Sequence, residues 1–158
     1  MLFQRINRSD PEKVFIVAKN SYSTASLTNG QVVIWDWTTD CDGVGVTLAT
    51  ATENVAGGID VAGVAAETIA AGSYGLLQVY GYHSALRVRS LTATGHVYHE
   101  SRGAVAKGTR LVGGITAAFC AEGVTVAETA QLLHPMGFAL AAQASYTTKA
   151  IAAFLKCL

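Results

Sequence analysis

Three carboxylates lie close together in the segment WDWTTDCDG, residues 35–43, at Asp36, Asp40 and Asp42. Carboxylates beside a glycine can bind Ca²⁺, because this cation takes oxygen ligands. The helix–loop–helix calcium motif needs ligands at alternate positions and a glutamate at its twelfth position, and the spacing here does not fit it. The segment is therefore predicted to be a solvated turn and not a calcium site.

Two histidines, His96 and His99, lie three residues apart in HVYH. On a strand this spacing directs them to opposite faces, and zinc needs further His or Cys ligands that are not nearby in the sequence. No metal and no cofactor is predicted.

A nucleophilic serine needs a base and an orienting acid. The segment GSYG, residues 72–75, has only part of the G-x-S-x-G pattern, and neither G-x-G-x-x-G nor a phosphate-binding loop occurs. The chain is predicted not to be an enzyme.

Two tryptophans, Trp35 and Trp37, lie two residues apart and would share one face of a strand over residues 31–37. Such a pair can form a platform for a sugar or a base. Core packing or a subunit interface is the favoured alternative.

The 158 residues are 51% hydrophobic and 14% charged, whereas charged residues usually make up about a quarter. A chain of this length forms one domain, or two very small ones, with a real core. Many small residues and few charges indicate further burial between subunits.

The net charge is zero, which argues against a dedicated nucleic-acid-binding protein. Residues 21–86 carry six acidic residues and no Lys or Arg, whereas residues 87–158 carry seven basic and three acidic residues. The asymmetry either reflects chance placement on separate strands or forms complementary patches between subunits.

The three cysteines, at positions 41, 120 and 157, are an odd number, so one thiol at least stays free. The sequence contains no signal-peptide pattern and no apolar run long enough to span a membrane. We therefore expect a protein that is made in the cytoplasm and stays reduced there.

Short β-branched and aromatic segments alternate with turn segments along the whole chain, which predicts an all-β fold. The predicted strands are 13–18, 31–37, 43–49, 74–82, 85–91, 108–113, 115–121, 123–128, 136–143 and 148–157. A helix over NVAGGIDVAGVAAETIA is rejected because glycines interrupt it, while residues 126–133 have room for a turn or two of helix.

The sequence contains an internal repeat. TNGQVVIWD and AKGTRLVGG begin similar series of strands, with Gly30 and Gly108 offset by 78 residues and Gly63 and Gly137 offset by 74. Two such units predict a compact β-barrel or sandwich of short strands with two similar halves, although generic β patterning would also produce the match.

One long block, AGV-x-x-x-x-I-x-x-G-x-Y-G-x-x-Q-V-Y-G-Y-H over residues 62–83, follows KVFIVAKN and LTNGQVVIWD and precedes AKGTRL. In this order the pattern resembles the head decoration, or capsid cement, proteins of tailed bacteriophages, from about residue 13 to 158. The resemblance implies a barrel-like, usually trimeric protein that clamps major capsid subunits on the outer surface of the expanded head. It implies no catalysis.

Within this block, AAGSYG would be a tight turn with positive φ at Gly72 and Gly75. LLQVYGYH would be a strand with Tyr80 and Tyr82 on one face, and His83 is more often a satisfied polar residue than a ligand.

Residues 1–12 are predicted to be an extended N-terminal arm, ahead of a single β-barrel-like domain over residues 13–158. The predicted capsid-binding residues are Leu2, Phe3, Arg5, Ile6 and Arg8. In similar decoration proteins an extended terminus adds a strand to the capsid subunit, whereas a frayed terminus is the alternative here.

The sequence therefore predicts a structural virion protein that binds the major capsid protein as a homotrimer on the outside of the phage head, after assembly in the host cytoplasm. It is expected to bind neither nucleic acid nor membrane. The predicted oligomer interface contains Tyr80, Tyr82, Arg87, Arg89, Trp35 and Trp37. The alternative is a β-barrel module that binds carbohydrate or peptide, such as a head-fibre or tail component.

Overall fold

The computed structural model describes residues 12–39, 42–48, 61–89, 104–113, 121–124, 135–144 and 148–157. These ranges contain strands, turns and loops and no helix, which confirms the all-β prediction. The strands are β1 Lys13–Asn20, β2 Val32–Trp35, β3 Gly45–Leu48, β4 Val61–Ala65, β5 Tyr74–Arg89, β6 Arg110–Gly113, β7 Ala121–Val124, β8 Gly137–Ala139 and β9 Lys149–Lys156.

The strands in this part of the chain form two rings that share β5. Their hydrogen-bonded order is β1-β3-β2-β4-β5-β7-β6-β8-β9, and additional β1–β5 and β5–β9 pairings close it twice. Ring 1 contains β1, β3, β2, β4 and β5, and ring 2 contains β5, β7, β6, β8 and β9. This arrangement confirms the compact barrel of short strands, because closure leaves few open sheet edges.

The shared strand β5 corrects the prediction of two strands over residues 74–82 and 85–91. It is one strand of 16 residues with a register shift between His83 and Leu86 opposite β9. Before the shift the buried residues are Leu77, Gln78, Val79, Gly81 and His83, which are odd-numbered apart from Gln78, and after it they are the even-numbered Leu86 and Val88. A bulge that switches faces interrupts the alternation in the sequence as a turn would.

Other strand boundaries also differ from the predictions. β4 lies within NVAGGIDVAGVAAETIA, where no strand was predicted, because the three glycines and five alanines of this segment weakened the β pattern. β7 lies across the predicted boundary between 115–121 and 123–128, and β8 covers only part of 136–143. The possible helix over 126–133 lies outside the described residues.

The two rings confirm the two similar halves. Each has one parallel pairing, β1–β3 or β5–β7, and its other pairings are antiparallel. Gly30 and Gly108 have φ values of 83° and 87°. The Gly30 N–H donates to the carbonyl of Ala65 at 2.9 Å, and the Gly108 N–H donates to that of Ala139 at 2.7 Å.

Two buried clusters hold the rings together. The ring 1 cluster contains Ala18, Leu27, Val33, Val46, Leu48, Ala62, Ala65, Ile69 and Leu77. The ring 2 cluster contains Val32, Val64, Leu86, Val88, Val105, Leu111, Met136, Ala139, Ile151, Ala153 and Leu155. Because Val32 and Val64 belong to ring 1 strands, β2 and β4 bury both faces and pack ring 1 directly against ring 2.

The turn before β5 confirms one glycine prediction and corrects the other. Gly72 has a φ of 73°, as predicted, whereas Gly75 lies inside β5 opposite Ala18 without a positive φ. Gly75 is small for a packing reason, since a Cβ there would lie 2.5 Å from Cγ1 of Ile69.

The pseudo-equivalent glycines provide a matched test of ring contact. Both Gly30→Ala and Gly108→Ala place a side chain at positive φ, but a Cβ at Gly30 would also collide with the main-chain oxygen of Ala85, whereas a Cβ at Gly108 has nothing within 4 Å. We expect Gly108→Ala to lower the free energy of unfolding by about 1 kcal/mol and Gly30→Ala by about 3 kcal/mol or more. Denaturant unfolding measures both, and equal losses would contradict the close approach of Gly30 to β5.

Candidate functional site

The carboxylates of the segment WDWTTDCDG organise its turn. Asp36 is buried, and its Oδ1 accepts hydrogen bonds from the N–H of Thr38 at 3.1 Å, the N–H of Thr39 at 2.9 Å and the Thr38 hydroxyl at 3.0 Å. Asp42 accepts from the N–H of Val44 at 3.1 Å. These bonds are those of a side-chain-capped turn, in agreement with the predicted turn.

The described ranges contain no group of three or more His, Cys, Asp or Glu residues that could hold a metal ion. Asp40, His96 and His99 lie outside these ranges. Burial raises the pKa of Asp36, but the hydrogen bonds from Thr39 and Thr38 outweigh it and leave the pKa below its ordinary value.

The tryptophan platform is corrected by the fold. β2 ends at Trp35, which packs partly buried against the ring 1 cluster, whereas Trp37 lies in the following turn and is 58% exposed. The two indole side chains therefore do not share one strand face, because the Asp36-capped turn begins between Trp35 and Trp37.

Ring 1 presents an exposed apolar surface, the β1–β5 apolar face, formed by Phe15, Val17, Tyr74 and Leu76. Val17 is paired with Leu76, and such direct partners project to the same side. Phe15 lies two residues from Val17 and Tyr74 two residues from Leu76, so both lie on that side as well. Their exposed fractions are 43%, 63%, 64% and 41%. The sequence analysis missed this surface, since the run VFIV in β1 has the composition of a buried strand.

Ring 2 presents a second surface, the aromatic row, formed by Tyr82, Phe154 and Phe138 on neighbouring strands, with Arg110 at its end. Register pairs join Tyr82 to Phe154, Phe154 to Phe138 and Phe138 to Arg110. Tyr80 packs edge-on against Phe154, with ring centroids 5.2 Å apart. The row confirms that Tyr80 and Tyr82 lie on one face of a strand, and it adds Phe138 and Phe154.

Buried polar side chains stabilise β5 between these two surfaces. The Gln78 amide donates to the carbonyls of Tyr80 at 3.1 Å and Tyr82 at 3.0 Å. His83 Nδ1 accepts from the N–H of Ala85 at 3.1 Å, across the register shift. Burial and the charge of Lys13 lower the pKa of His83, so this histidine acts as a neutral structural residue and not as an exposed ligand.

The two arginines of β5 alternate with buried Leu86 and Val88, as predicted. Arg87 is tied to ring 1, since its Nη2 donates to the Thr28 hydroxyl at 2.8 Å and its N–H donates to the Gly30 carbonyl at 2.9 Å. Arg89 is half-buried opposite β7. Arg87 therefore stabilises the contact between the two rings within one chain.

An open cleft of about 530 Å³ lies at one end of ring 1. Its lining includes Lys19, Ser23, Thr39, Asp42 and Tyr74. An aromatic ring beside hydroxyl, amino and carboxylate groups is the chemistry that recognises a hydroxyl-rich ligand such as a sugar.

The remaining predicted features are the N-terminal arm, the cysteines and the absence of a membrane span. Residues 1–11, with the predicted arm, and Cys41 and Cys120 lie outside the described residues. Burial raises the pKa of the Cys157 thiol to about 12, so this thiol is protonated. No helix in the described residues is long and apolar enough to cross a membrane.

Charge is distributed unequally between the rings. Over the described residues, ring 1 and its entry carry four acidic and two basic residues, whereas ring 2 carries one acidic and six basic residues. The ring 1 residues are Glu12, Asp36, Asp42, Glu67, Lys13 and Lys19, and the ring 2 residues are Glu122, Arg87, Arg89, Lys107, Arg110, Lys149 and Lys156. The asymmetry of the sequence is therefore also an asymmetry between the two rings.

Comparison with known proteins gives one structural likeness. No protein-family model matches the chain, and no curated protein sequence matches it significantly. Among solved structures it is similar to the head fiber gp8.5 N base in bacteriophage phi29, with 14% sequence identity, a TM-score of 0.48 and coverage of 92% of this chain and 96% of that chain. A likeness at this level assigns neither a family nor a function.

The capped turn predicts a pH-dependent contribution to stability. We expect Asp36→Ala to lower the free energy of unfolding by about 1–2 kcal/mol at pH 7, because buried N–H groups lose their acceptor. Since the pKa of Asp36 is lowered in the fold, the contribution is complete above the ordinary pKa of 3.8 and is lost as the pH falls through the folded pKa.

The difference between the wild-type protein and Asp36→Ala should therefore shrink below about pH 4 in denaturant unfolding measured across pH. Asp42→Ala is the matched control, since Asp42 lies at an exposed position and accepts from the Val44 N–H, and its expected loss is about a few tenths of a kcal/mol. A loss at Asp42 as large as at Asp36 would contradict the assignment.

Proposed function

We propose that this chain is a structural virion protein of a tailed bacteriophage, a capsid decoration protein that binds the outside of the head and stabilises the expanded shell. The observation that carries the proposal is the place of residues 62–83, the segment with the most specific resemblance to decoration proteins. This segment forms most of β4, the Gly72 turn and the first half of β5, the strand that both rings share. From it Tyr74, Leu76, Tyr80 and Tyr82 project toward the outside of the rings.

The proposed capsid-binding segment is the N-terminal arm, and its proposed partner is the major capsid protein. The chain enters β1 at the middle of β5, where Lys13 is paired with Gly81 and the Glu12 carbonyl lies so close that any Cβ at Gly81 would collide with it. The arm therefore starts beside the junction of the rings. β5 is a precedent within this chain for a strand that completes two rings at once, and an arm that adds a strand to a capsid subunit would likewise use main-chain hydrogen bonds.

The proposed assembly is a homotrimer without catalytic activity, located on the outer capsid surface after assembly in the host cytoplasm. Neither nucleic acid nor membrane is a proposed partner. Three arms on one particle raise the effective concentration of each arm at the shell once the first has bound. Weak individual strand additions are then sufficient for lasting attachment.

A carbohydrate-binding module is the second candidate, and the cleft beside Tyr74 favours it. In this function the cleft, and not a Trp35–Trp37 platform, would hold the sugar. This candidate would be supported over decoration if a sugar raised the melting temperature of the wild-type protein but left the melting temperature of Tyr74→Ala unchanged.

The decoration function predicts that the protein binds mature, expanded heads and not the precursor shell, because a cement protein recognises a site that expansion creates. Co-sedimentation of purified protein with each shell form measures this. Equal binding to both forms would count against the proposal.

Removal of residues 1–10 should raise the dissociation constant for expanded heads by about tenfold or more, since a strand addition and three apolar side chains are lost. The unfolding transition should stay unchanged, because the rings begin at Lys13. A matched control replaces Leu2, Phe3 and Ile6 by serine, which keeps arm length and charge. If the truncated chain bound expanded heads as tightly as the full chain, the proposed role of the arm in capsid binding would be wrong.

A further inference from the structure

We infer that copies of this chain associate head to tail, with the β1–β5 apolar face of one copy packed against the aromatic row of the next. The inference rests on the proposed function only for the number of copies, three. The partner that covers each surface is a second copy of this chain.

Both surfaces lie on the outer sides of their rings, where the β1–β5 apolar face is exposed and the aromatic row is partly exposed, with Tyr82 and Phe154 half-buried. Val17 is 63% exposed and Tyr74 64% exposed in ring 1, and Phe138 is 38% exposed in ring 2. The outer side of β2 and β4 differs, because Val32 and Val64 there are fully buried by ring 2. Ring 2 thus already covers one outer side of ring 1 within the chain, and a neighbour's ring 2 would cover the other.

Electrostatics favours contact between unlike rings. Glu67 lies at the edge of the β1–β5 apolar face, where its Oε1 accepts from the Leu76 N–H at 2.9 Å, and Asp42 shares the adjacent cleft with Tyr74 and with Lys19, the direct β1 partner of Tyr74. Because Lys19 brings a positive charge to this face, the attraction rests on the net charge of ring 1 and its entry, which carry four acidic and two basic residues. The aromatic row instead has exposed Arg110 opposite Phe138, and exposed Lys156 opposite Tyr80. A basic surface meeting an acidic ring is attractive, whereas two copies of the basic surface would repel.

The contact is heterologous, since each copy uses two different surfaces. Such a contact builds either a closed cycle or an open filament, and closure after three copies leaves no surface unpaired. Apolar side chains at the centre with charges at the rim is the usual anatomy of such an interface.

Mixing two complementary variants tests the head-to-tail contact. Val17→Asp places a charge in the β1–β5 apolar face, and Phe138→Asp places one in the aromatic row; Ser26→Asp, at an exposed loop position, is the control. Arg110→Asp is a second variant of the aromatic row that removes no buried side chain. Light scattering after size exclusion gives the mass of each sample, and circular dichroism confirms folding.

The wild-type protein and Ser26→Asp should have three times the chain mass of 16.5 kDa, and each interface variant alone should have the mass of one chain. An equimolar mixture of Val17→Asp with either aromatic-row variant should contain particles of two chains, because one intact contact remains. A monomeric wild-type protein, an interface variant that keeps the wild-type mass, or a mixture without two-chain particles would overturn the inference. The masses are measured without phage, so a trimer that fails to bind heads rejects only the decoration function.

Discussion

One strand, β5, is the constraint on which the rest of the structure depends. Its first half pairs with β1 and its second half with β9, while β4 pairs with Leu77 and Gln78 and β7 pairs with Val88 and Arg89. Neither ring closes without it. Because the buried side switches from odd to even residues, the strand needs a bulge after His83, and buried Gln78 and His83 satisfy the polar groups around that irregularity.

The sequence predicts much of this fold where pattern alone decides. The alternation of Leu86 and Val88 with two arginines predicted their burial, and the offset between Gly30 and Gly108 predicted the repeat, because both glycines occupy the same backbone conformation. A closed barrel was predicted, but which strands close each ring was not, since pairings between β1 and β5 depend on contacts about 60 residues apart. The exposure of Phe15 and Val17 was missed because composition does not reveal which side of a strand stays uncovered.

The candidate site shows the same division. Asp36 lies in a segment predicted to be a solvated turn and also within the predicted strand over residues 31–37. The strand instead ends at Trp35 and Asp36 caps the turn that follows, so Trp35 and Trp37 do not share one strand face. The surfaces that remain are apolar and aromatic patches on the outer sides of two oppositely charged rings. Surfaces of this kind are suited to protein contacts, and in our proposal the predicted N-terminal arm adds the attachment to a capsid.

The central claim is that the two rings form a module on the outer surface of an expanded phage head. Cryo-electron microscopy of expanded heads, prepared with and without the protein, tests it most directly. If the proposed function is right, the heads with the protein have additional density on the outer surface, made of three copies that each contain two rings joined by one long strand. Identical maps with and without the protein, or density confined to the tail, would contradict it.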